Sequence, residues 1–134
     1  MIVVDTNIIA SMTLPTQHSA GVSALHEKNS VWEAPFRWKT EFVNILSLFY
    51  RKGFIDYKEG LDALDFAERL IGSREHQVAA KAILDTTFHS TCSAYDAELI
   101  VLARRLNTAL ITYNETLLKQ FPDFALTPED YLKA

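Results

Sequence analysis

Apolar positions recur along this chain at two periods, and the shorter one comes first. In "MIVVDTNII" the β-branched run is too short for a buried helix and predicts an interior strand ending at Asp5. Thr6 or Asn7 then caps a short helix. A second helix is expected over "HSAGVSALHEKN", and "VWEAP" reads as a short strand that Pro35 terminates. The strongest helical pattern is "RWKTEFVNILSLFYRKG", closed by basic residues and a glycine, and "DYKEGLDALDFAERLIG" repeats it. Beyond these, "HQV" predicts a short edge strand and a helix starts near Ala79. A helix over "SAYDAELIVLARRL", a strand at "ALIT", a short helix in "NETLLKQF" and a last strand at "FALT" complete the pattern. Strands alternating with helices at this spacing imply parallel βαβ units and an α/β sandwich. No linker or internal repeat interrupts the 134 residues, so one domain over 1–134 is expected.

Composition narrows the class. With 49% hydrophobic and 22% charged residues, 4 Gly and 4 Pro, the chain matches an ordinary globular protein. A single cysteine, Cys92, excludes an intrachain disulfide and a cysteine zinc site, and a reducing compartment follows as the default. No basic leader with a long apolar run precedes the first strand, and no stretch is apolar enough to span a bilayer, so a cytoplasmic protein without membrane contact is expected. The net charge of −4 argues against gripping nucleic acid by bulk electrostatics. A cation held by carboxylates would invert the local field, and basic residues do pair locally, as at Arg37 and Lys39 or Arg104 and Arg105.

The acidic positions carry the candidate chemistry. In an open parallel sheet ligands gather beyond the carboxyl ends of the strands, where Asp5 and Asn114 would sit. At 100° per residue, Glu41 lies at the border of an apolar arc formed by Trp38, Phe42, Ile45, Leu46 and Phe49. Asp96 points with Leu99, Ile100 and Ala103, while Glu98 and Arg105 share the opposite face. An ionised carboxylate on an apolar face must be paired, hydrogen-bonded or bound to a cation. Three of them on one sheet edge would repel each other unless a divalent cation offset the charge. Hard oxygen ligands suit Mg²⁺ or Mn²⁺.

Each residue also has an ordinary structural role open to it. Asp5 suits a turn before a helix, Glu41 a surface position, and Asp96 a capping box with Ser93. Asn114 suits a plain cap before "ETLLKQF". The four histidines, His18, His26, His76 and His89, lack metal-ligand spacing and read as surface or packing residues.

Taken together and in order, "VVDTNII", "TEFVNIL", "SAYDAELIVLAR" and "LITYN" resemble the motifs of the PIN domain, and specifically of the short VapC-type toxins. The resemblance runs over nearly the whole chain, through "LTPEDYL". It implies a three-layer α/β sandwich whose central parallel sheet has four or five short strands flanked by helices. It implies further a metal-dependent endoribonuclease whose acidic cluster binds Mg²⁺ or Mn²⁺ and activates water against an RNA phosphodiester. The family's acids fall on Asp5, Glu41 and Asp96 as metal ligands, with Asn114 in the fourth catalytic place. Thr6, Asn7 and Thr112 match the supporting polar residues, and Arg37, Lys39 and Arg104 are the basic side chains expected to guide RNA. The resemblance also implies a homodimer held inactive by a cognate antitoxin, for which "FVNILSLFY" and "LDALDFAERLI" could form an apolar groove.

Where the family often has Asp, Asn114 brings no negative charge and cannot act as a base, although an amide carbonyl can still ligate a cation. The substitution bears on a tightly held second metal. It also keeps a second reading open, a PIN-like module without catalysis that binds RNA or a protein partner.

Overall fold

The computed structural model describes all 134 residues. Five short parallel strands lie in the order β3-β2-β1-β4-β5. They are β1 (Ile2–Val4), β2 (Trp32–Pro35), β3 (Glu75–His76), β4 (Leu110–Ile111) and β5 (Ala125–Leu126). Eight helices connect them: α1 (Thr6–Thr13), α2 (Ser19–Lys28), α3 (Trp38–Arg51), α4 (Tyr57–Ile71), α5 (Ala80–Phe88), α6 (Ala94–Leu106), α7 (Glu115–Gln120) and α8 (Pro128–Lys133). The expected α/β sandwich with its parallel sheet is present, and an edge strand forms as β3 at Glu75–His76, which shares only His76 with the strand expected at "HQV".

Strand pleat divides the interior into two cores. Ile2, Val4 and Ile111 pack on one face with Trp38, Phe42 and Leu46 of α3 and Ala67 and Ile71 of α4. Val3, Leu110 and Ala125 pack on the other with Leu99, Ile100 and Leu102 of α6. From β1 the chain moves outward to β2 and then β3, and it returns through α5 and α6 to β4 on the opposite side of β1. The direction of winding therefore reverses between β1 and β4, and their carboxyl ends flank the crevice where open α/β sheets take ligands.

Several local signals act as expected. Asp56 caps α4 through a reciprocal capping box with Glu59, and Ser93 caps α6 by accepting from the Asp96 amide at 3.2 Å. Two details differ. The cap of α1 is Asp5 itself, whose side chain accepts from the Thr6 amide at 2.7 Å, so neither Thr6 nor Asn7 caps it. The segment after the last strand, for which no element was expected, forms α8, with Thr127 as cap and Pro128 in the first turn.

Candidate active site at the carboxyl edge of β1 and β4

Alternation carried one residue past each strand explains the first contact. Asp5 follows Val4 and Thr112 follows Ile111, so both side chains turn to the α6 side, where Val3 and Leu110 already point. The Thr112 hydroxyl, fully buried, donates to Asp5 Oδ2 at 2.8 Å and accepts from the Asn114 amide at 2.9 Å. Tyr113, between them, turns the other way, and its hydroxyl donates to Glu129 at 2.9 Å.

The second acid meets this group from α6. Asn114 Nδ2 donates to Asp96 Oδ2 at 3.3 Å. Asn114 Oδ1 accepts from the amides of Thr116 and Leu117, at 2.9 and 3.3 Å, and so caps α7. Those two N–H donors fix the amide's orientation, because only an oxygen can face them. In this arrangement the carbonyl serves the helix and the amino group serves Asp96.

Glu41 stands at the exposed rim on the other side of Asp5, where the Thr6 hydroxyl donates to it at 3.4 Å. Asn7 Nδ2 approaches Asp5 Oδ2 at 3.5 Å, and Asn7 Oδ1 is buried with no hydrogen-bond partner. A buried carbonyl without a donor is a place for water or a cation.

The carboxyls feel one another. Burial pushes the pKa of Asp5 above the usual range, against the lowering effect of its Thr112 and Thr6 bonds, and the charge of Asp96 raises it further. Burial also raises Glu41, and the charge of Asp5 adds to it, while the Thr6 bond opposes. Asp96 is raised by burial and partly restored by Asn114. The three acids thus share one edge, as expected, yet no three His, Cys, Asp or Glu side chains stand close enough to surround one ion. A preassembled acidic cluster is not what this chain holds. The donor set still fits a hard cation in its chemistry, with three oxygen-bearing acids held against ionisation and an unpartnered amide oxygen beside them.

The basic candidates all make contacts within the protein. Arg37 Nε donates to Glu98 Oε1 at 2.7 Å, and its guanidinium lies 4.9 Å from the centre of the Tyr95 ring. Lys39 pairs at 3.8 Å with Glu68 and at 3.9 Å with Glu75. Arg104 sits in the last turn of α6 over the rings of Phe121 and Phe124, about 12 Å along the helix from Asp96.

Sequence reasoning missed Glu98. The helical wheel sets it outward with Arg105, yet it is 8% exposed, and Ala97, Glu98, Leu99 and Ile100 are all buried. The cause is that α6 packs on β1, β2 and β4 on one side and under α5 on the other, so it has no free face near its start. Glu33 is a second buried carboxylate, turned from β2 toward His76 at 2.8 Å and Arg74 at 3.6 Å. Its signal was available, since alternation places Glu33 opposite the inward Trp32 and Ala34.

No family model matches the chain, and no curated protein matches it. Among solved structures, it is similar to the VapC20 toxin of Mycobacterium tuberculosis, described as cleaving the sarcin-ricin loop. The match has a TM-score of 0.59 and 15% identity, and covers 82% of this chain and 87% of that one. The likeness is one of architecture: the five-stranded parallel sheet flanked by helices is the PIN-like fold of VapC20.

Proposed function

We propose that this chain is a VapC-type endoribonuclease, the toxin of a toxin–antitoxin pair, which uses Mg²⁺ or Mn²⁺ to hydrolyse RNA phosphodiesters. The observation that carries the reading is the hydrogen-bonded line from Asp5 through Thr112 and Asn114 to Asp96, built at the switch point of the sheet. The architecture shared with an RNA-cleaving toxin supports it.

Asp5, Asp96 and Glu41 are the residues that would hold the cation, their side chains drawing together on it from the places they now occupy. A divalent ion held there would lower the pKa of water and offset charge on the phosphate oxygens. Thr112 holds the Asp5 carboxylate in one orientation, and Asn114 does the same for Asp96 from the cap of α7. Asn7 and Thr6 bracket the acids from the first turn of α1. Asn114 has no ionisable proton and takes no part as a base.

The partner in this reading is an antitoxin that lies against the α3–α4 pair. A groove of about 420 Å³ runs between these helices, walled by Val43, Leu46, Tyr50, Ile55, Leu61 and Leu64. Tyr57 at its mouth is 70% exposed and Tyr50 59%, an apolar surface of the kind that takes an amphipathic segment. A homodimer belongs to the same reading.

The deciding experiment is cleavage of a total-RNA pool by the purified protein with Mn²⁺ or Mg²⁺, beside a chelator control and Asp96→Asn. Discrete fragments that vanish in both controls are expected. A second reading, a PIN-like module that binds RNA or protein without cutting, draws on the separation of the three acids. It predicts that wild type and Asp96→Asn behave alike and that neither takes up Mn²⁺.

A further inference from the structure

A cleft of about 590 Å³ opens beside the candidate acids, over the carboxyl ends of β2 and β3. Its volume falls within the roughly 300–1,000 Å³ typical of small-molecule sites. Phe36, Val78 and Ile83 give it apolar walls, and Arg37, His76 and Glu98 give it polar groups. It adjoins the site directly, because Arg37 precedes Glu41 by one turn of helix, the Glu41 amide donating to the Arg37 carbonyl at 3.3 Å.

Its electrostatics disfavour a phosphate. Each cation in it already faces an acid: Arg37 faces Glu98, Lys39 faces Glu68 and Glu75, and His76 faces Glu33. Little net positive charge is left to draw a backbone anion. What remains is a set of directed donors and acceptors. Arg37 uses only Nε toward Glu98, so its two terminal nitrogens have no protein acceptor. Glu98 Oε2 has no protein donor and is not sealed from solvent. The pair is held rigidly, by a 2.7 Å bond, by the Tyr95 ring under the guanidinium, and by burial of Glu98, whose side chain is 10% exposed. Arg37, at 47%, opens outward.

A charged donor and a charged acceptor side by side, next to an exposed aromatic ring, match the edge and face of a nucleobase. Every base carries a hydrogen-bond donor beside an acceptor on its pairing edge, and unpaired bases in RNA are read through such edges while stacking on aromatic or guanidinium planes. Phe36, 56% exposed, supplies such a plane. We infer that this cleft holds one unpaired base of the RNA strand next to the cleaved phosphodiester, read by the Arg37–Glu98 pair. The inference rests on the nuclease reading for its substrate class. It makes the cleft a determinant of which sequence is bound.

The test is binding, with no need for cleavage. Full-length protein carrying Asp96→Asn, in chelator, is titrated against labelled octaribonucleotides of A, C or U and against an abasic octamer of ribose phosphate. Fluorescence anisotropy is expected to give one base at least about tenfold over the abasic strand, the scale of one good base contact. Glu98→Gln should change the rank order of the bases, since an amide offers a donor where the carboxylate only accepts. Ala80→Trp, at an exposed residue of the cleft wall, should abolish the preference and leave abasic binding unchanged. It decides the matter if Glu98→Gln fails to fold. Four strands bound alike, no strand bound at all, or a preference that survives Ala80→Trp would each overturn the inference. The nuclease reading stands or falls separately, on cleavage of total RNA by the wild type.

Discussion

Thr112 is the residue on which the candidate site turns. It is fully buried, donates to Asp5 and accepts from the Asn114 amide, so one hydroxyl satisfies groups on two elements. Thr112→Val keeps the shape and removes both bonds. Leaving a buried donor and acceptor unmatched costs about 1–3 kcal/mol. Loss of an orienting partner typically lowers metal affinity or activity by about 10–100-fold. We therefore expect Thr112→Val to fold with a lower Tm and to cleave RNA more slowly by that factor, measured in single-turnover assays. Unchanged cleavage would show that Asp5 needs no such support. The acids make a pH prediction as well. Asp5, Glu41 and Asp96 are all raised above their ordinary values, so the native state binds their protons more tightly than the unfolded chain. Their contribution to stability is full below the ordinary carboxylate range and is lost as pH rises through the raised native values. In chelator, Asp5→Asn should gain Tm relative to wild type as pH climbs out of the acid range. A difference between the two proteins that does not change with pH would sink this account.

At the scale of elements, helix caps and site residues are the same residues. Asp5 caps α1, the Ser93 cap presents Asp96, and Asn114 caps α7 while its amino group holds Asp96. The ordinary cap role and a place in the candidate site thus fall on the same positions, and this is why the sequence could not separate them. Asn114→Asp separates them in the protein. A carboxylate still accepts from the Thr116 and Leu117 amides, so α7 keeps its cap. The donor to Asp96 is lost and a like charge replaces it. The expected outcome is a lower Tm in chelator and a larger rise in Tm on adding Mn²⁺ than wild type shows. Equal shifts in the two proteins would mean that a charge at position 114 does not face the cation. The elements legible in the sequence were those with one clear period: the interior strand at Ile2–Val4, and α3 and α4 with their terminal glycines. α6 was legible as a helix but not in its facing, because a helix covered on two sides has no single apolar stripe for a wheel to find. Glu98 was misplaced for that reason, and its pairing with Arg37, 61 residues away, was not foreseen. Likewise, the shared edge of the three acids followed from topology, while how closely they approach one another is a matter of tertiary packing that no periodicity encodes.

Over the whole molecule, the charge pattern sets how RNA can be held. The chain carries a net charge of −4, and six of its 13 lysines and arginines, Arg37, Lys39, Lys58, Arg69, Arg74 and Lys81, each face an acid within 4.0 Å. Exposed pairs of this kind contribute little to stability, and several lie on α4 and α5, away from the switch point. Their effect on function is that Arg37 and Lys39, the cations beside the candidate site, are not free to neutralise phosphates. A protein that holds RNA by its backbone releases counterions, with log affinity falling by about 0.7 per neutralised phosphate for each unit of log salt on a single strand. Here the slope should be shallow, on the order of −1 to −2, corresponding to two or three phosphates. Anisotropy titrations of Asp96→Asn across salt would measure it. A steep slope that falls in Arg37→Gln would mean that the ion pairs break to release Arg37 onto the backbone, and the cleft would then act as a phosphate clamp. A shallow slope leaves recognition to directed contacts at the carboxyl edge, where an acidic protein can select an RNA that it does not attract.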